Sequence, residues 1–114
     1  MLKRVYETPN NEDGVRILVE RLWPRGLTKE KARIDIWLKD IAPSTELRKW
    51  FNHIPERWTE FQKRYKTELK EKDNVVRRLK KKVDTTNVTL VFAAKDAALN
   101  SAVVLKDVLE KSFV

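Results

Sequence analysis

The residues best suited to chemistry lie in segment 20–26, directly after a run of β-branched and apolar residues. This segment holds two arginines, Arg21 and Arg25, together with Trp23 and a proline turn. Ligands of parallel α/β proteins bind outside the carboxyl ends of the strands, where arginine can hold a carboxylate or phosphate. Arg21, Trp23 and Arg25 are therefore a candidate anion site. Alternatively, Arg21 and Glu20 could pair with other charges, and Trp23 could pack beneath the helices.

A second candidate set follows the apolar segment 88–94. If the sheet is parallel, Lys95 and Asp96 leave this strand at the same edge as the two arginines. Asn100 is expected near the start of the final helix, where the helix dipole favours anions. We therefore expect Lys95, Asp96 and Asn100 to complete the anion pocket. The competing interpretation, which we favour for Asp96, makes that residue a helix N-cap and leaves Lys95 in solvent.

His53 is the only histidine and lies in a turn beside aromatic residues. Its reference pKa of about 6.5 would allow acid–base catalysis together with Glu20, so a small enzyme is the third hypothesis. A lone histidine is more often a cap or a packing residue, and both residues are weak catalytic candidates. No metal site is expected with one histidine and no cysteine. No glycine-rich phosphate loop, serine–histidine pair or dinucleotide fingerprint indicates a cofactor or a reaction.

The elements that must position these residues form a β–helices–β–α pattern. Residues 2–6, 15–23 and 88–94 are apolar and β-branched enough to be strands, and 98–111 is expected to be a closing helix. Strands separated by helices pair in parallel through helical crossovers. We predict a small α/β domain with a mostly parallel sheet, in which strands 15–23 and 88–94 are adjacent and parallel.

The middle of the chain is predicted to be helical. Trp37, Leu38 and Ile41 share one helical face, and Ser44 can cap the helix that follows them. Later aromatic residues recur at spacings of three and four, which places them in the core rather than on a base-stacking surface. These predicted core residues are Trp50, Trp58, Phe61 and Tyr65.

The positive charge of the chain is concentrated in segment 63–82. The formal net charge is +8, and this segment alone holds ten basic and three acidic residues. A basic helical face could bind nucleic acid, because each neutralised phosphate releases counterions. Such a face is also a common way to keep a small domain in solution, and no nucleic-acid motif accompanies it. A nucleic-acid-binding or regulatory protein is therefore the second hypothesis.

Length and composition limit the remaining classes. The 114 residues suffice for one domain, 1–114, with 41% hydrophobic residues and no apolar run of membrane-spanning length. No apolar segment follows the basic N-terminal residues, so no secretory signal is expected. The absence of cysteine excludes disulfides and thiol nucleophiles and is compatible with the cytoplasm, which we expect as the location. The oligomeric state stays open.

The chain resembles the domain-of-unknown-function 488 family in its short YeaO-like branch. The similarity extends over almost the whole chain, and its most specific strings are WPRG at 23–26 and APSTELRKWF at 42–51. Further matches follow at His53, 55–58 and 91–96. The resemblance implies a small bacterial or archaeal α/β protein and no established activity.

Longer members of the family carry cysteine, glutamate and a Cys-His-Arg string around the last strand and helix. Cysteine chemistry is not carried over to this chain, which also departs from the short branch at Glu20, where aspartate is common, and at Ser101, where histidine is common. The positions that match the string-bearing region of the longer members hold Phe92, Ala94, Asn100, Ser101 and Ala102.

Our leading hypothesis is a cytoplasmic α/β protein that binds a small anionic ligand. Arg21 and Arg25 would hold the anion, Trp23 would wall the pocket, and Lys95 and Asn100 would close it. No cofactor, metal or membrane partner is expected.

Overall fold

The computed structural model describes residues 1–111 and shows an α/β fold. Its four-stranded sheet is entirely parallel, with the strand order β1-β4-β2-β3. The predicted fold class is therefore confirmed. The strands are β1 (Leu2–Arg4), β2 (Val15–Leu18), β3 (Ile36–Trp37) and β4 (Val88–Phe92).

Five α-helices and three short 3₁₀ helices accompany the sheet in the described part of the chain. None of these helices is long and apolar enough to cross a membrane. The α-helices are α1 (Lys29–Ala32), α2 (Thr45–Phe51), α3 (Trp58–Glu71), α4 (Asp73–Thr85) and α5 (Ser101–Lys111), and the 3₁₀ helices are Asn11–Asp13, Lys39–Ile41 and Pro55–Arg57.

The two central strands pair as predicted. β2 and β4 are adjacent and parallel, with Val15 opposite Val88 and Leu18 opposite Val91. All five residues of β4 are buried, as its continuous apolar character indicates. The carboxyl ends of both strands therefore meet at one edge of the sheet.

The predicted strand 15–23 is too long. The structure ends β2 at Leu18, and only the Val19 amide continues the pairing, at 3.0 Å from the Val91 carbonyl oxygen. The Glu20 carbonyl accepts a hydrogen bond from the Trp37 indole instead of a strand partner. Because the neighbouring strands end here, residues 20–23 leave the sheet and turn above its edge. The first strand likewise ends at Arg4 rather than at residue 6.

The predicted helical face of Trp37, Leu38 and Ile41 is wrong. Trp37 lies in the edge strand β3, opposite Leu18, and Ile41 ends a 3₁₀ helix. The Leu38 amide donates to the Leu18 carbonyl, so pairing with a distant strand overrides the local helical spacing.

A large core lies between the sheet and helices α2 to α5. Phe61 and Tyr65 are buried there, as predicted, and Phe61 stacks on Phe51 with ring centroids 4.4 Å apart. Trp50 and Trp58 are only partly buried and pack against this core. A smaller cluster covers the other face of the sheet and contains Leu18, Val91 and the two tryptophans Trp23 and Trp37.

Candidate ligand pocket

A cavity of about 540 Å³ opens where the carboxyl ends of β2 and β4 meet. We call it the edge cavity. Its walls come from residues after β2, from α2 and the turn behind it, from residues 93–94 and from the start of α5. Its polar and charged lining residues are Glu20, Thr45, Arg48, Lys49, Asn52, His53, Asn100 and Ser101.

Glu20 enters the edge cavity because the chain turns there at the end of β2. One carboxylate oxygen accepts a hydrogen bond from the Ala93 amide at 3.4 Å, longer than the usual range of about 2.7–3.2 Å for such bonds. Burial raises the pKa of Glu20, although the Ala93 amide and the positive charge of Arg48 act to lower it. The side chain is thus a weakly bonded acceptor in a partly dehydrated site.

Arg48 reaches the edge cavity from the middle of α2. Ser44 caps this helix, since its Oγ accepts a hydrogen bond from the Leu47 amide at 3.1 Å. The Arg48 side chain is partly buried and, within residues 1–111, makes no hydrogen bond and no ion pair. Its charge acts on Glu20 from across the cavity. The cavity therefore contains a cation whose five donors are available.

His53 lies on the rim of the edge cavity. Asn52 and His53 both have left-handed backbone conformations, with φ of 45° and 55°, and this reverses the chain after α2. The imidazole is exposed, with its centroid 5.9 Å from that of Phe51. Its charge contributes to lowering the pKa of Asp96, less than the hydrogen bonds from the Leu99 and Ala98 amides do.

Residues 93–99 form a rim loop that is fixed by its own polar groups. The Asp96 carboxylate accepts hydrogen bonds from the Leu99 and Ala98 amides, and these two bonds are the main reason that its pKa is lowered. Asn100 is buried, donates to the Asp96 carbonyl at 2.8 Å and accepts from the Val103 amide at 3.1 Å. Asp96 therefore caps the turn before α5, and Asn100 caps the helix itself, which begins at Ser101 rather than at residue 98.

Arg21 lies outside the cavity lining and holds one of its walls. Its Nε donates to the Pro43 carbonyl and its Nη2 to the Ala42 carbonyl, both at 3.1 Å. Ala42 and Pro43 line the edge cavity, in a wall segment that we define as residues 41–44. The same segment is held by Tyr65, whose hydroxyl donates to the Ile41 carbonyl at 2.6 Å.

The remaining predicted site residues do not line the edge cavity. The Trp23 indole donates to the Leu27 carbonyl at 2.7 Å, and its ring lies 5.4 Å from that of Trp37 on the other face of the sheet. Arg25 and Lys95 are exposed. Of the predicted binding residues, the structure thus brings only Asn100 into the lining, together with the two weak catalytic candidates.

Sequence reasoning missed Arg48 as a site residue. The residue stands inside one of the most specific strings, 42–51, and three positions before the buried Phe51. That spacing places Arg48 beside the core-facing side of α2. This was the available signal, but it does not show which end of the sheet the helix covers.

The donor set gives no support for a metal. Among residues 1–111, no three histidine, aspartate or glutamate side chains are grouped closely enough to hold a metal ion. The cavity instead combines one carboxylate, two cationic side chains, an imidazole and neutral polar groups, which suits an organic or phosphate-bearing ligand.

Comparisons with known proteins agree on one family. A sequence model of the family described as "Inactive DUF488-N3 subclade" matches residues 1–114. The uncharacterized protein Rv3073c of Mycobacterium tuberculosis is 44% identical over 106 residues, which cover 93% of this chain and 89% of that protein. The uncharacterized protein YeaO of Escherichia coli K12 is 42% identical over 105 residues, which cover 92% and 91% respectively. No solved structure is similar enough to count as a match.

Proposed function

This chain belongs to the inactive DUF488-N3 subclade, and we propose that it binds a small anionic molecule in the edge cavity. The resemblance to the domain-of-unknown-function 488 family is thereby confirmed. A binding role agrees with a subclade described as inactive. The cytoplasm, where such a ligand would be met, remains part of the proposal.

The observation that carries the proposal is the unbonded guanidinium of Arg48. Arginine side chains that serve the fold in this protein are bonded: Arg21 holds two carbonyls and Arg16 is fully paired. A partly buried arginine without such partners among residues 1–111 has lost part of its hydration and makes no protein hydrogen bond in return. A carboxylate or phosphate between Arg48 and the start of α5 would supply those bonds in paired geometry.

The rest of the cavity fits a small organic anion. Its volume of about 540 Å³ lies within the range of roughly 300–1,000 Å³ that is common for small-molecule sites. Pro43, Phe51 and Phe61 provide an apolar surface, and Lys49 adds a second positive charge at the opening. An anion with an apolar body would be covered on both sides.

Three of the five positions that distinguish the longer family members line this same cavity. Ala94, Asn100 and Ser101 line it, in the region where the resemblance places cysteine chemistry in those members. Because the chain contains no cysteine, its cavity lacks the cysteine chemistry that the resemblance places in the longer members. Catalysis by His53 with Glu20 is the alternative within the same cavity, and it would require a proton transfer that no contact between these two residues supports.

The proposal is tested by thermal unfolding with inorganic phosphate and with small carboxylates. A ligand present at about one hundred times its Kd stabilises the folded state by about 2.7 kcal/mol. We expect Arg48→Gln to remove this protection while leaving the melting temperature of the free protein nearly unchanged. Arg78→Gln is the control, because it removes the same charge from an exposed site on α4.

Equal protection of wild type and Arg48→Gln would contradict the proposal. So would loss of protection in both variants, because that result would trace the effect to net charge rather than to the edge cavity.

The nucleic-acid hypothesis receives less support from the contacts of segment 63–82. Several of its basic side chains are in ion pairs, among them Arg64 with Glu60 at 3.0 Å and Lys80 with Asp84 at 3.0 Å. These contacts reduce the charge that is available to phosphates. An oligonucleotide affinity that falls steeply with salt, and that the charge-removing Arg78→Gln weakens, would nevertheless restore this hypothesis.

A further inference from the structure

The Glu20 carboxylate is an acceptor with most of its capacity unused. A carboxylate offers about four acceptor positions. Within residues 1–111, the Glu20 carboxylate receives one hydrogen bond, the 3.4 Å bond from the Ala93 amide, and it lines the edge cavity, where it is partly buried. An acceptor that has lost part of its hydration and has few protein donors favours a ligand that supplies a donor at this place.

Glu20 and Arg48 share the cavity without touching. The charge of Arg48 acts on Glu20, yet no ion pair or hydrogen bond joins them, whereas charged neighbours elsewhere in the described chain do pair. Two opposite charges that are held apart in one cavity can both be satisfied by a molecule between them. That molecule must place a negatively charged group beside Arg48 and a hydrogen-bond donor beside Glu20.

Three of the neighbouring polar side chains have other partners or lie at the rim of the cavity. The Asn100 amide already donates to the Asp96 carbonyl and accepts from the Val103 amide. Arg21 is occupied by the carbonyls of the wall segment. His53 lies at the rim of the cavity, where its imidazole is exposed.

We propose that the edge cavity selects a small zwitterion, an amino acid or a related amine with an acidic group, with Arg48 holding the acid and Glu20 holding the amine. This proposal rests on the proposed function, because it needs Arg48 as the anion anchor. The apolar surface of Pro43, Phe51 and Phe61 would cover the body of the ligand. A simple anion lacks the donor and places its charge near Glu20, which opposes binding.

The test compares molecules that differ only in the amine. Binding of phenylalanine and leucine is measured by calorimetry beside 3-phenylpropionate and 4-methylpentanoate, at the same pH for all four compounds. We expect the wild-type protein to bind an amino acid at least about tenfold more tightly than its deaminated counterpart, the gain typical of one charge-assisted hydrogen bond.

The variant Glu20→Gln makes the test sharper because it should weaken the binding of only those ligands that carry the amine. Binding of the amino acids weakens, and binding of the simple carboxylates and of inorganic phosphate becomes stronger or stays unchanged. Arg48→Gln weakens both kinds of ligand. Glu46→Gln is the matched control, since it removes the same charge from an exposed residue of α2 outside the cavity lining.

The outcomes separate this inference from the function on which it rests. If the carboxylates bind as tightly as the amino acids and depend on Arg48, the zwitterion proposal is overturned and the anion site stands. If no probe binds, both are overturned. Should Glu20→Gln fail to fold, the comparison of amino acids with deaminated acids on the wild-type protein still decides the question.

Discussion

The two ends of strand β2 each carry a charged group that is removed from water, and they treat it in opposite ways. At the amino end, Asp13 and Arg16 are both about 3% exposed and bonded to each other at 2.6 Å. At the carboxyl end, Glu20 and Arg48 lie in one cavity and make no such pair. The same strand therefore carries a completed ion network at one end and an uncompleted one at the other.

In the network at the amino end of β2, the charged groups are bonded to one another and to backbone carbonyls rather than left for a ligand. Lys3 adds a second bond to Asp13 at 3.1 Å, and the Arg16 guanidinium also donates to the carbonyls of Ala32 and Arg33. Burial acts to raise the pKa of Asp13, but the hydrogen bonds from the Asn10 backbone, Lys3 and Arg16 outweigh it and lower the pKa. This network joins β1, β2 and the loop after α1, so it serves the fold.

The comparison teaches that burial of a charge does not by itself identify a site. What distinguishes the two ends is the number of hydrogen bonds that each charge receives. Asp13 has several strong donors, whereas Glu20 has one long bond and a raised pKa. Substitutions at the two ends should accordingly affect different properties of the protein.

The largest effect is expected from Arg16→Gln. This change removes the shorter of the two ion pairs made by the buried Asp13, and breaking a buried ion pair in this way costs about 3–5 kcal/mol. Urea unfolding measures the loss. Arg48→Gln, the corresponding change at the other end, should alter the free energy of unfolding by less than about 1 kcal/mol. Equal losses in the two variants would show that both ends serve stability, and the distinction between them would be lost.

A smaller loss of stability is expected from Arg21→Gln. Arg21 lies at the carboxyl end of β2, but its guanidinium is hydrogen-bonded, as that of Arg16 is at the amino end. Loss of its hydrogen bonds leaves the Ala42 and Pro43 carbonyls short of donors, at a cost of about 1–3 kcal/mol. The wall segment loosens, so ligand protection should weaken without disappearing.

Arg21→Lys serves as the conservative variant, because it restores the charge and one donor but not the two-pronged contact. We expect it to recover part of the stability and part of the ligand protection. Full loss of ligand protection in a stably folded Arg21→Gln protein would instead favour the sequence-based prediction that Arg21 holds the anion directly.

The fold was predictable to the extent that it follows from local apolar patterns. Segments 15–23 and 88–94 predict the two central strands and their parallel pairing, because a helical crossover permits little else. The two-residue strand β3 was not predictable, since Trp37 and Leu38 have helical spacing and are drawn into the sheet by pairing with Leu18.

The location of the candidate site was easier to predict from the sequence than the side chains that line it. Parallel topology predicts a pocket at the carboxyl edge, and the edge cavity lies there. Which side chains reach it depends on how far β2 extends and on which side α2 packs. Because β2 ends at Leu18, the strand alternation that would place Arg21 and Trp23 on one face does not apply to them.

The smallest effect is expected at Glu20, whose contribution to the pH dependence of stability should differ in sign from that of Asp13. The lowered pKa of Asp13 means that its ionised form stabilises the folded state, so this contribution is present at neutral pH and is lost as the solution becomes acidic. The raised pKa of Glu20 means that ionisation works against folding, so its cost appears as the pH rises through that raised pKa.

Glu20→Gln should therefore raise the free energy of unfolding at neutral and alkaline pH, and the gain should vanish in acid, where the native carboxyl is protonated as well. Asp13→Asn should show the opposite sign over the same range, a loss at neutral pH that diminishes in acid. Urea unfolding of both variants and the wild type at a series of pH values measures the two differences. If Glu20→Gln destabilises the protein at neutral pH, then the Glu20 carboxylate stabilises the fold, as Asp13 does. The proposal that Glu20 binds the donor group of a ligand would then be wrong.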